Sequence, residues 1–392
     1  MTYLCRHDLS RYGCAPKQMS GSPSIPSARY ARSSRLVAYL AVAYLLLVVY
    51  ASLYPFSGWR VPNADATHFL FSGWPAYVVA SDVVLNVLAY VPLGLLLALS
   101  WMGRMPRWAA TALAVLATTL LSLSLEFTQA YLPTRISSNV DVLTNSIGGF
   151  WGAVMALVWG RRWLLSGDLR RLREQYFHAG AHTDLIFVLI ALWLATQLNA
   201  DIWLFGNGDL RNWLPFDPGV KYSANTYLLF EAGVAALNFV GVAFLVGAVA
   251  RSFVATAAAL TVLMMTALLL KTIASMALFI PGNPALWLTP GSVIGLVAGV
   301  MLWLPLAWQS AAASSRSAGV CFCAAVILVN LAPENPYLVA ALQILQRGQF
   351  LHFNAMIGLL SSWWPFLAVA SLLFVLLRPA TRSAVARPGG AR

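Results

Sequence analysis

Ten apolar runs divide the chain, at 36–54, 82–101, 109–131, 141–160, 184–203, 227–250, 254–280, 291–309, 318–333 and 356–377. Each is close to the roughly 20 helical residues that a bilayer core about 30 Å thick requires. The pattern predicts an all-α fold, a polytopic transmembrane helical bundle of about ten spans. The gaps are polar and basic. Residues 1–35, rich in Ser, Pro and Arg, read as a disordered basic tail; 161–183 read as a loop and 378–392 as a second basic tail. The run at 36–54 is longer than a signal-peptide core and has no small-residue cleavage site after it, so it is expected to remain as an anchor.

The two halves look alike. LNVLAYVPLGLLLAL, from Leu85, resembles LNFVGVAFLVGAVA, from Leu237, which aligns Asn86 with Asn238. LTNSIGGFWGAVM, from Leu143, resembles LTPGSVIGLVAGVM, from Leu288, which aligns Gly148 and Gly152 with Gly295 and Gly299. That small-xxx-small spacing lets membrane helices approach closely. The expectation is two parallel four-helix repeats, 36–160 and a degenerate second copy at 184–310, with two further spans within 318–377. Parallel repeats of this kind occur in transporters. The second copy is expected to lack the polar residues of the first and to keep only Lys271 and Asn238.

Composition and charge narrow the picture. At 60% hydrophobic and 10% charged residues, the chain is more apolar than a soluble domain, which runs at about 45–50%. Of the 25 basic residues, 19 fall in the two tails and the even-numbered loops and only five in the remaining loops. Basic residues in short loops stay on the cytoplasmic side, so both termini are expected there. The net charge of +12 is spread over tails and short loops rather than presented by a folded module. It suits contact with anionic lipid, and nucleic acid is not an expected partner. The four cysteines offer neither a CxxC pair nor zinc spacing, and His178 and His182, at i, i+4 spacing, have only Asp184 near them as a further ligand, so no metal or cofactor is expected.

One stretch departs from the apolar pattern. LEFTQAYLPTRISSNVDVLTNSIGG places Glu126, Gln129, Arg135, Asp141 and Asn145 within 20 residues, although an ionisable group in a span costs about 2.5–3.5 kcal/mol on insertion scales. Alternating topology brings these to the outer membrane face together with Asp82 and Asn86, four residues apart on one helix face. Asp141, after Ser138 and Asn139, is equally suited to a helix start. Glu126 calls for a partner such as Arg135, and an ion pair closing the hairpin would be a purely structural use of both. Alternatively, Glu126 and Asp141 are candidate catalytic carboxyls for general acid or base work. Arg135, Gln129, Asn145, Asn86 and Asp82 are then candidate ligand-binding residues, with Arg135 offering two donors to a phosphate or carboxylate. Lys271 is expected to snorkel to the interface. The segment around His68 with Trp74 and Tyr77, and the one from Glu334 to Phe353 with Trp363 and Trp364 beyond, read as interfacial stretches.

These residues carry a resemblance. SDVVLNVLAYVPLG followed by LEFTQAYLPTRISSNVDVLTNSIGGFWG resembles the VanZ-like family: Asn and Pro-x-Gly in one span, Glu-x-x-Gln closing the next, then Pro-x-Arg, Asp and Asn before paired glycines. It covers 36–160, and the family's polar positions fall on Asn86, Glu126, Gln129, Arg135, Asp141 and Asn145. The family is named for association with resistance to the glycopeptide teicoplanin. The resemblance implies a bacterial inner-membrane protein of the cell envelope whose outer polar site recognises or modifies a membrane lipid or lipid-linked cell-wall precursor. A transporter or flippase with Glu126 as coupling carboxylate, and a non-catalytic scaffold, are the alternatives.

Overall fold

The structure, a computed structural model, describes residues 30–62, 65–74, 78, 80–160, 168–199, 202–211, 213–214, 219–278, 284–333, 335 and 351–377. It is helical, and no strand occurs among the described residues. The helices are α1 (Tyr30–Leu53), α2 (His68–Phe71), α3 (Ala80–Trp101), α4 (Arg107–Gln129), α5 (Asn139–Gly160), α6 (Asp168–Tyr176), α7 (Ala181–Thr196), α8 (Ala224–Gly247), α9 (Phe253–Leu278), α10 (Pro290–Trp303), α11 (Ala311–Leu331) and α12 (Leu351–Leu377). Eight are long and apolar enough to cross a membrane, and α7 and α10 are shorter apolar helices. Each of the ten apolar runs thus contains a helix, and the chain is a multi-pass membrane protein. Tyr77 and nearly all of the stretch from Glu334 to 350 lie outside the described residues.

The tightest helix pair is α3 on α5. Glycines make it possible: a Cβ on Gly152 would run into the carbonyl of Val91, and one on Gly148 into that of Val87. With hydrogen in place of a side chain the two backbones come into van der Waals contact, the main attraction available between helices in lipid. α4 lies along α5, and α1 packs on α3 and α4 while also touching α7 and α12, joining the two halves.

The pair α8 and α10 is built the same way, with Gly295 against the Ala232 carbonyl and Gly299 against Ala236 and Phe239. These contacts set Ala232 where α3 has Val87, so Glu231, and not Asn238, stands at the place of Asn86. Contrary to the expectation that only Lys271 and Asn238 remain polar, Glu231 is a buried carboxylate bonded by the Thr289 hydroxyl at 2.5 Å. The likeness in packing stops at this pair: α4 lies on α5, whereas α9 meets α7 and α8, and α11 takes a large face of α8. α8 is the central helix of the second half and the most deeply buried of the eight long apolar helices. Its Phe244 forms the core together with Trp193, Phe205, Phe322 and Trp364 packed around it.

The run expected at 184–203 is helical only to Thr196, after which irregular backbone dips into the bundle, with Leu204 to Gly208 buried. Non-helical backbone survives inside a membrane bundle only if its polar groups are paired within the protein. The Gly208 N–H donates to the Ser361 carbonyl at 2.8 Å. That carbonyl is vacant because the residue four positions on is Pro365, which has no N–H. Asn330 grips the same segment twice, donating to the Gly208 carbonyl at 2.7 Å and accepting from the Leu210 N–H at 2.9 Å. Lys271 is 1% exposed and donates to the carbonyls of Asn199 and Ile202. It closes the end of α7 instead of snorkelling. Trp364 is not interfacial either; it is fully buried and donates to the Leu189 carbonyl at 2.8 Å.

Gly152→Val, which places a branched side chain against the α3 backbone, is expected to cost about 1–3 kcal/mol, as overpacking does. Gly319→Ala, at a position with open space around it, is expected to leave stability unchanged or slightly raised. Thermal unfolding of the two purified variants in the same detergent checks both.

Candidate functional site

Four helix ends meet at one end of the bundle: the last turn of α1, the first of α3, the last of α4 and the first of α5. Six residues of tight turn, from Leu132 to Ser137, separate Tyr131 from the start of α5 at Ser138. Ser138 caps α5, its hydroxyl accepting from the Val140 N–H at 3.2 Å. In a capping box the side chain three residues after the cap returns to the cap's own N–H. Here that residue is Asp141, and it does not do so. The Ser138 N–H donates instead to Glu126 Oε2 at 2.9 Å, and the Ser137 hydroxyl donates to the Glu126 carbonyl at 2.6 Å. A carboxylate from the preceding helix thereby holds the start of the next. Asp141 is left to face α3, where its Oδ1 accepts from Asn86 Nδ2 at 2.9 Å. Both acids lie at the positive end of the α5 dipole, which favours them.

Arg135 and Gln129 turn toward α1. The last carbonyls of a helix have no donor within it, and here Gln129 Nε2 reaches the Ser52 carbonyl at 2.8 Å and Arg135 Nη2 the Ala51 carbonyl at 2.6 Å. A cation at a helix C-terminus is favourable. Among the described residues the expected Glu126–Arg135 ion pair is not formed; the hairpin is closed by the two serine bonds to Glu126. Arg135 nevertheless feels both acids. Burial lowers the affinity of its guanidinium for the proton, and the nearby charges of Glu126 and Asp141 act in the opposite sense. One prong of its fork is committed to α1, and Nε is buried without a hydrogen-bond partner.

One turn below Asp141, Asn145 donates to the Ser122 hydroxyl at 2.9 Å while its Oδ1 is buried with no partner. Tyr90, 3% exposed, lies in hydrogen-bonding reach of Ser122 and within the electrostatic influence of Glu126 and Asp141. Asp82, exposed at the start of α3, acts on Asp141 through its charge. The chain between α1 and α3 folds over this end. Arg60 N–H donates to the Tyr131 carbonyl at 2.9 Å, and Asn139 Nδ2 donates to the Ser72 carbonyl at 3.0 Å.

All seven residues singled out by the sequence therefore gather at this end, in two groups. Asp82, Asn86, Glu126, Asp141 and Asn145 line the α3–α4–α5 junction, while Gln129 and Arg135 close α1. Sequence reasoning missed Tyr90, Ser122 and the carbonyls of Ala51 and Ser52, and placed Ser138 at the helix start without its bond to Glu126. Helical spacing could have found the first two, because Tyr90 is four residues after Asn86 and Ser122 four before Glu126. Nothing in the sequence marks the two carbonyls.

Residues 36–160, which reach from α1 to the end of α5, match the family model described as VanZ/LLP1. No curated protein and no solved structure matches the chain.

Glu126→Gln keeps an oxygen able to accept from Ser138 and is expected to preserve stability. Glu126→Leu strands that N–H and is expected to cost about 1–3 kcal/mol. Thermal unfolding of the two variants side by side checks this, and equal melting temperatures would contradict the role assigned to the Ser138 bond.

Proposed function

With a VanZ-like domain at residues 36–160 of a multi-pass membrane protein, we propose that its polar helix junction recognises or modifies a lipid-linked or cell-wall precursor at the outer leaflet of a bacterial inner membrane. The basic residues of the tails and even-numbered loops support cytoplasmic termini, which puts the junction on the outer side. The family's link to glycopeptide resistance supports an envelope role. The observation that carries the reading is the open oxygen of Glu126. This carboxylate is 4% exposed; Oε2 is bonded to Ser138, whereas Oε1 has no hydrogen-bond partner among the described residues.

In this reading Glu126 Oε1 takes or gives a proton, and Asp141, held in place by Asn86, contacts the ligand beside it. Arg135 meets an anionic part of the ligand with the donors that α1 does not use. Asn145 orients the ligand, and Asp82 stands at the entrance. Gln129 is a positioning residue that fixes α1 against α4. A second reading has an observation of its own: Gln129 and Arg135 both bond the last carbonyls of α1, and Glu126 bonds the cap of α5. Those are the contacts of a scaffold whose polar residues only join helix ends.

Glu126→Gln separates the two, since it retains the bond to Ser138 and removes the exchangeable proton of the carboxyl group. In cells deleted for the gene and expressing the variant at normal abundance, the proposal expects failure to restore the wild-type envelope-lipid profile and tolerance of cell-wall antibiotics. If a proton is transferred in turnover, the loss should be about 100-fold or more. Full restoration would sink the chemical role and favour the scaffold.

A further inference from the structure

We infer that the α3–α4–α5 junction receives a primary ammonium group carried on a zwitterionic lipid headgroup, with the ammonium among Glu126, Asp141 and Asn145 and the headgroup phosphate toward Arg135. This rests on reading the junction as a lipid-headgroup site, and it specifies which headgroup.

The hydrogen-bonding inventory points this way. Three acceptors at the junction have no hydrogen-bond partner among the described residues: Glu126 Oε1, Asp141 Oδ2 and Asn145 Oδ1. The Asn145 oxygen is the most telling, because its residue is 7% exposed, its amide nitrogen is already committed to Ser122, and a buried acceptor without a donor is costly. An ammonium brings three donors and no acceptor, one for each of these oxygens.

Charge agrees. Among the described residues Glu126 and Asp141 share one guanidinium, Arg135, so the cluster holds two acidic groups for one basic group. A purely anionic ligand would meet repulsion there. No three acidic or histidine side chains among the described residues are grouped closely enough to ligate a metal ion.

The membrane supplies such a ligand. The junction lies at the ends of helices long and apolar enough to cross a membrane, where lipid headgroups are met, beside a segment whose Phe71 and Trp74 are 86% and 70% exposed. Arg135 still has Nη1 uncommitted at the edge of the acid cluster, and it can meet a phosphate while the ammonium goes deeper.

The test uses the full chain, purified into nanodiscs, with retained lipid read by native mass spectrometry. Phosphatidylethanolamine is compared with phosphatidylcholine, which keeps the positive charge but has no N–H, and with phosphatidylglycerol, which has no amine. The expected result is about tenfold preference for phosphatidylethanolamine over phosphatidylcholine, equivalent to about 1.4 kcal/mol. Asp141→Asn, which still accepts from Asn86, should erase that preference. Equal retention of the ethanolamine and choline lipids would overturn the inference. Preference for phosphatidylglycerol would overturn it too, while leaving a headgroup site in place. Retention of no lipid would remove the underlying reading as well. Ethanolamine in solution, added as a competitor, identifies the carrier: saturable binding of ethanolamine without any preference among lipids would overturn the lipid as source.

Discussion

Inside a membrane no water is available to a peptide group, so every N–H and carbonyl must be paired by the protein itself. Helices meet this demand along their length and fail it at their ends. Much of the polar chemistry of this chain follows from that failure. Gln129 and Arg135 satisfy the end of α1, Glu126 satisfies the start of α5, and Lys271 satisfies the chain leaving α7. The charged side chains that look extravagant in an apolar sequence stand where backbone groups would otherwise go unpaired. At the α3–α4–α5 junction this work leaves a remainder: oxygens of Glu126, Asp141 and Asn145 that no backbone group uses.

The same economy of contact governs how helices lie together. Apolar side chains gain little from leaving lipid for one another, so close backbone approach carries the association. The glycines of α5 set the distance to α3, and that distance is what brings Asn86 within a hydrogen bond of Asp141. A bulkier α5 would separate the two and leave an unsatisfied amide facing an unsatisfied acid. Packing and polar geometry at the junction are therefore one arrangement, fixed by residues with no side chain.

The helices were legible in the sequence because an apolar run is also the physical requirement for crossing a bilayer. Their ends were less so. The run 184–203 included Leu198, Ile202 and Trp203, which are apolar but not helical, since burial in a bundle selects for hydrophobicity whatever the backbone does. The residues of the junction were legible through helical spacing, as with Asp82 and Asn86 or Asp141 and Asn145. Their partners were not. Arg135 was matched to Glu126 by charge, yet its bond goes to a main-chain carbonyl of Ala51, a group that every residue possesses and no letter of the sequence distinguishes. Aligning Asn86 with Asn238 followed the identity of the letters, whereas the glycine contacts set Glu231 there. Letters shared by two helices do not fix the register in which each meets its neighbour.

Pro365 has a consequence for how α12 can move. A uniformly apolar helix can slip past its neighbours by a turn, about 5.4 Å, and recover nearly equivalent contacts. α12 cannot, because its hydrogen-bond ladder has a gap at Ser361 that is filled by the N–H of Gly208 from outside the helix. Sliding by one turn would strand both groups. The proline acts as an index mark, a notch at a single height that fixes where along α12 the buried loop engages, and with it the vertical alignment of α7, α11 and α12.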